Sequence, residues 1–223
     1  VEFKNLKEAV LWIGFDEIKN IAITQQFFKI FMEKNYNSFS RKNLWKNSVS
    51  TALLAKMIYR REFGEKGENV YTAGLIHNIG IIIIDQFMND EFHEILKIIE
   101  EEHLDHQDAE KKLIGYDHCD IAHQLGLNWN FPDELIEAVR FHHHPLTCPE
   151  EFRKESATIF IADIICNKWR MGYSDIHFAD AEELNKILNK YGIEQESLDV
   201  MRTDLIEQIN HFENIGLLSN GDQ

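Results

Sequence analysis

Four short stretches of the 223-residue chain hold the side chains that could do chemistry. They are Ala73-Gly74-Leu75-Ile76-His77-Asn78-Ile79-Gly80, Gly115-Tyr116-Asp117-His118, Arg140-Phe141-His142-His143-His144-Pro145 and Ile161-Ala162-Asp163. Imidazole and carboxylate are the donors that first-row divalent metals prefer, and helices converging on a bundle core can bring them together. Each stretch also has a structural reading. Three adjacent histidines before Pro145 fit a helix C-terminus, where they meet the dipole and proline marks the stop. Asp163 falls in an apolar helical stretch, where a carboxylate needs a partner. Singly, each stretch reads as structure; jointly they form a pattern.

The elements that must position these groups read as helices. Only three prolines occur, Pro132, Pro145 and Pro149, and long proline-free tracts favour helix. Ile18, Ile21, Ala22, Gln25, Phe28 and Met32 keep helical spacing, with Asp16 as the expected N-cap. Ser40 precedes a second helix with Trp45, Val49, Ala52 and Leu53 on one face, ended by Gly64 and Gly67, and a third runs from about Val70 to Ile76. The run Ile81–Ile84 has strand-like propensity but no second strand to pair with, so it is read as a shielded helix. Asp90 is expected to cap an acidic helix reaching His103, with further helices at about 105–113 and 118–127 and one starting at Pro132. A long apolar helix follows at about 153–171. Beyond the loop Tyr173–Phe178, Leu184, Ile187, Leu188 and Tyr191 make one stripe, and Leu198, Met201, Leu205 and Ile209 another. The expected fold is all-α.

Composition narrows the function. With 44% hydrophobic residues the chain can bury a sizeable core, which excludes disorder. The longest aliphatic run, Ile81–Ile84, is too short to span a bilayer. Cys119, Cys148 and Cys166 form no C-x-x-C pair and read as reduced thiols of a cytosolic protein. The net charge of −15 repels phosphate backbones, so general nucleic-acid binding is not expected. Arg41, Lys42, Lys46, Lys56, Arg60 and Arg61 are read as a solvated helix face rather than an anion-binding patch. Residues 90–120, with 11 acidic and 3 basic side chains, are a candidate docking surface for a basic partner, against the plainer reading of a solvated face. The chain begins at Val1 rather than Met, which reads as a fragment.

Residues His77–Gly80 resemble the HD-x-G signature of the HD superfamily of metal-dependent phosphohydrolases, with Asn78 in place of the aspartate. The stretches Leu6–Gly14, Leu44–Ser48, Ala73–His77, Gly115–His118, Trp129–Pro132 and Ala138–His143 together resemble the HDOD family, the HD-related output domain of bacterial signalling proteins. The similarity covers about residues 5–167. It implies an HD-like helical bundle over 1–172, lacking some N-terminal helices usual in the family, with 173–223 as a C-terminal helical extension packed on it. It also places the superfamily's metal positions at Asn47, His77, Asn78, His118, His142, His143 and Asp163.

Two of these seven are amides. Asn78 stands where an aspartate would bridge two cations and help acidify the attacking water, and Asn47 where a histidine would ligate. The remaining four imidazoles and Asp163 lack the charge and ligand count for a pair of metals, so no cofactor is expected, with a single transition metal as the alternative. The leading expectation is a non-catalytic bacterial regulatory domain in the cytoplasm, working through an unidentified signalling protein. One rival is a metal-dependent phosphohydrolase acting on a nucleotide or cyclic dinucleotide. Another is a binding module for a phosphorylated small molecule, helped by Arg140.

Overall fold

A computed structural model describes Glu8, Trp12 and residues 14–32, 39–173 and 180–218. Among them every regular element is helical. The helices are α1 (Phe15–Met32), α2 (Arg41–Phe63), α3 (Glu68–Ile76), α4 (Ile79–Phe87), α5 (Asn89–Glu102) and α6 (His106–Ile114). They continue as α7 (His118–Asn128), α8 (Asp133–Arg140), a short 3-10 turn (Pro145–Thr147), α9 (Arg153–Lys168), α10 (Asp180–Tyr191) and α11 (Gln195–Asn214). The signature stretch Leu6–Gly14 and the loop after Tyr173 lie mostly outside the described residues.

The bundle is organised around α2, which packs on α1, α3, α9 and α11. It is capped as its sequence requires: the Ser40 side chain accepts from Asn43 N–H, and Gly64 closes the other end in the left-handed region at φ 70°. Its small residues let neighbours approach closely. A Cβ on Gly74 of α3 would stand 2.6 Å from Ala52 Cα, so the two backbones meet where only hydrogen fits.

Burial overrides propensity in α4. Ile81, Ile82 and Ile84 are fully buried and Ile83 partly so, and the β-branched run is helical because the surrounding helices enclose it. Between α3 and α4 only His77 and Asn78 interrupt the helix, and Asn78 turns it at φ −98°, ψ 11°. By length and composition Glu68–Phe87 does qualify as a membrane span, which counting aliphatic runs missed; 78% of that stretch is buried inside the fold.

Several local expectations need correction. α1 begins one residue before Asp16, and Gly14 O accepts from Ile18 N–H, so Asp16 lies in the first turn rather than at the cap. Asp90 likewise sits inside α5, whose N-cap position is Met88. The basic face is not uniformly solvated. Arg41 is 1% exposed and pairs with the buried Asp85 at 2.5 Å, while Lys56 is buried against Glu68 at 2.9 Å. A cation withdrawn from water needs a close counter-ion, and α4 and α3 supply one each.

The two C-terminal stripes are buried as their spacing predicts, with Tyr191 half-buried and its ring 5.7 Å from that of Phe63. The chain then returns to α2. Trp45 Nε1 donates to Leu217 O at 2.7 Å and Lys46 pairs with Glu213, so the end of α11 closes over the central helix.

Candidate metal centre

Five elements deliver the seven positions to one buried place. Asn47 comes from α2 and Asp163 from α9. His77 and Asn78 come from the α3–α4 break. His118 is the first residue of α7, fixed by Asp117, which caps that helix in a reciprocal box with Asp120. His142 and His143 follow α8 in a tight turn where His144 N–H donates to Phe141 O. His77, His118 and His142 are at most 1% exposed.

The amides close on themselves. Asn78 Nδ2 donates to Asn47 Oδ1 at 3.4 Å, and Asn47 Nδ2 donates to Asp163 Oδ1 at 3.3 Å and Asn167 Oδ1 at 3.1 Å. Thr51 Oγ1 donates to the same Asp163 oxygen at 3.5 Å. Burial alone would raise the Asp163 carboxyl, but His77, His142 and Asn47 outweigh it and hold the group below the usual carboxylate range.

The histidines share one orientation. His77 Nδ1 donates to Gly74 O at 2.8 Å, His142 Nδ1 to Val139 O at 2.7 Å, and His118 Nδ1 to Glu110 Oε2 at 2.7 Å. Each bond places the proton on Nδ1 and leaves Nε2 bare, as ligating histidines are prepared by their outer partners. Nε2 of His77 and of His142 are buried with no hydrogen-bond partner, although His77 Nε2 lies 3.5 Å from Asp163 Oδ1. His118 Nε2 instead lies 3.1 Å from His143 Nε2, a separation that requires one shared proton. Burial pulls His118 down, yet Cys119 and Glu110 push its pKa well above 6.5. His142 is pulled down to about 3 by burial and by the positive charge that His77 and His118 can carry, and His143 falls well below 6.5 for the same reasons.

Three contributors escaped the sequence reading. Glu110 is fully buried and joins His118 to His106, whose Nδ1 is 3.0 Å from Glu110 Oε1; the sequence placed Glu110 in an acidic stretch open to solvent. Its signal was the i, i+4 spacing from His106. Cys119 was read as an ordinary thiol, yet its Sγ lies 3.6 Å from His142 Nδ1. Arg140, by contrast, stays outside the cluster, exposed and over the Phe141 ring.

The cluster suits one transition-metal ion and not two. The ligand atoms of His118, Cys119, His142 and His143 all lie within 4.8 Å of one another, the spread a single ion needs. A pair needs an anion between the ions, and the residue at that position is an amide committed to Asn47.

The sequence matches the HDOD domain family over residues 2–145. A relative from Treponema pallidum (strain Nichols) is 22% identical over 162 residues, covering 72% of this chain and 31% of the relative, so the chain spans under a third of that protein's length. Three solved structures share the fold. An HDOD domain protein of unknown function from Geobacter sulfurreducens has a TM-score of 0.81 at 23% identity, covering 98% of this chain and 76% of that one. A protein named provisionally as a phosphohydrolase, from Shewanella amazonensis SB2B, gives 0.71 at 22% identity over 97% and 76%. One named provisionally as a signal transduction protein, from Marinobacter aquaeolei VT8, gives 0.72 at 19% identity over 93% and 46%.

Proposed function

The chain belongs to the HDOD domain family, a relative of the HD phosphohydrolases, and from that premise we propose that it is a non-catalytic regulatory domain of bacterial signal transduction. Its product is a contact with a partner protein in the cytoplasm, not a chemical conversion.

The observation that carries this reading is the Asn78–Asn47–Asp163 chain. In a two-metal site, hydrolysis of a phosphoester relies on an anion between the cations to help make a nucleophile from water. Here an amide donates its N–H to Asn47 at that position, and the one carboxylate among the seven, Asp163, accepts from Asn47 and Thr51. A single ion held among the clustered imidazoles would supply positive charge that cross-links α7 and the turn after α8. In that role it fixes the surface offered to a partner.

The test is direct. The purified protein, supplied with manganese or ferrous iron, is assayed against cyclic dinucleotides, nucleotides and a generic phosphodiester. No turnover above a metal-only blank is expected; turnover that follows the protein through purification would replace this reading with the hydrolase.

A second reading has its own observation. A cavity of about 200 Å³ lies beside the cluster, lined by Gln107, Lys111, Cys119, Arg140, His144 and Thr147 among others. Arg140 and Lys111 give it cations suited to a phosphorylated small molecule, although Lys111 is tied to Asp117 at 2.7 Å. Thermal shifts with nucleotides and sugar phosphates decide it: a ligand of the native state raises the melting temperature, and Arg140→Ala would abolish that rise.

A further inference from the structure

We infer that Cys119, His118, His142 and His143 form a thiolate-containing site for a single zinc-class ion, displaced from the carboxylate side of the cluster. This deepens the reading of a non-catalytic, mononuclear centre and rests on it. Cys119 is not one of the seven positions that the family resemblance marks, and Asp163 and His77 are not needed for this set.

The ligand atoms of His118, Cys119, His142 and His143 all lie within 4.8 Å of one another. One edge already has the right length and a second is slightly short of it, so binding asks for only a small outward shift. Tetrahedral zinc, with bonds of about 2.3 Å to sulfur and 2.0–2.1 Å to nitrogen, separates neighbouring ligand atoms by roughly 3.3–3.6 Å. His118 Nε2 and His143 Nε2 are 3.1 Å apart, and Cys119 Sγ and His142 Nδ1 are 3.6 Å apart. Three of the four residues are at most 2% exposed, so the ion would be shielded from water.

The surroundings suit a metal-bound sulfur. Gln107 Nε2 donates to Cys119 Sγ at 3.6 Å, and Cys119 lies in the first turn of α7, where backbone N–H groups favour negative charge. Glu110 accepts from His118 Nδ1, the carboxylate–histidine pair that orients a ligating imidazole. Binding also removes the awkward His118–His143 contact. The proton these nitrogens share and the thiol proton of Cys119 leave to solvent as the N–metal and S–metal bonds form. The cost is one hydrogen bond, because metallation at His142 Nδ1 displaces that nitrogen's bond to Val139 O. The proton of His142 then resides on Nε2, which becomes a donor in place of the unpartnered acceptor it is now. Thiolate among imidazoles selects zinc or cobalt over the iron and manganese that all-oxygen and nitrogen sites accept.

The experiment uses the full chain, stripped with a chelator and titrated with cobalt(II). One equivalent should bind with a thiolate-to-cobalt charge-transfer band in the near ultraviolet and be displaced by zinc. Cys119→Ser should lose the band and weaken cobalt binding roughly tenfold or more, while Cys148→Ser keeps both. The wild-type band reads sulfur ligation without any variant, so poor folding of Cys119→Ser leaves the test intact. Cobalt bound without the band, or a band that survives Cys119→Ser, overturns the cysteine ligand while sparing the non-catalytic reading. Failure to bind cobalt overturns the site itself. Two equivalents of metal together with phosphodiester turnover would overturn the functional reading as well.

Discussion

Gly80 lies against the backbone of His118: a Cβ built on Gly80 would stand 2.7 Å from His118 Cα and closer still to its carbonyl oxygen. The glycine of the His77–Gly80 signature is therefore required by space, since α4 and α7 meet backbone to backbone at this point. The same contact fixes where His118 enters the cluster. The motif couples a ligand-bearing turn to the helix start that carries the next ligand.

Gly80→Ala should consequently damage both stability and site. Overpacking of a tight contact costs about 1–3 kcal/mol and sometimes more, and here the clash is with backbone that cannot rotate away. Urea denaturation should show that loss, and cobalt affinity should fall with it. Gly115→Ala offers a contrast: nothing lies within 4 Å of its added Cβ, so only the strain of φ 85° applies.

Acid should destabilise the protein earlier than its carboxylates predict. His142 titrates near 3 in the folded chain against 6.5 ordinarily, and His143 is shifted the same way. Between those limits the unfolded chain binds protons that the native state refuses, so stability falls as pH falls below about 6.5, by on the order of a few kcal/mol in total. His118 is shifted upward, so its contribution is complete below 6.5 and is lost only as pH rises through its folded-state value. Glu110 and Asp163 are shifted down, and their contributions begin to be lost only below 4.5 and 3.8, in the lower part of the histidine window. Melting curves from pH 8 to 4 in chelator should fall from about 6.5, and His142→Asn should flatten that limb.

The helices were legible because their periodicity, caps and breakers agree: Ser40 and Gly64 bound α2, and Pro132 precedes α8, where the sequence places them. The stretches holding the five ligand-type residues stood out by residue type, but their union with Asn47 was legible only through the family's motifs, since no spacing law links Asn47 to Asp163 across the six helices between α2 and α9. Glu110, His106 and Cys119 were not read as site residues, and only the i, i+4 spacing of His106 and Glu110 marked any of them. Each sits in a stretch whose composition is that of a solvated helix, and only packing shows which residue of an acidic run turns inward. Arg41 and Lys56 failed for the same reason, because the Asp85 and Glu68 that neutralise them lie on other helices.

The buried Arg41–Asp85 pair should behave as such pairs do. Asp85→Asn removes the carboxylate that faces the buried Arg41 guanidinium at 2.5 Å and should cost about 3–5 kcal/mol. Replacing both partners by apolar residues of similar size, Arg41→Met with Asp85→Leu, should cost much less than either single change. A double-mutant cycle by urea denaturation measures the coupling, and simple additivity of the two single changes would refute it.

The amides at Asn47 and Asn78 should be reversible in their effect. Asn78→Asp alone places a carboxylate next to Asn47 and near Asp163, so without metal it should lower the melting temperature through like-charge repulsion in a buried site. With Asn47→His added, the missing imidazole and the bridging anion are both supplied, and manganese or iron should bind at two equivalents per chain and restore the lost stability by binding the native state. Elemental analysis reads the stoichiometry and melting in metal against chelator reads the linkage. If the double variant still holds at most one ion, the amides are not what separates this centre from a two-metal site, and the shape of the surrounding helices must be.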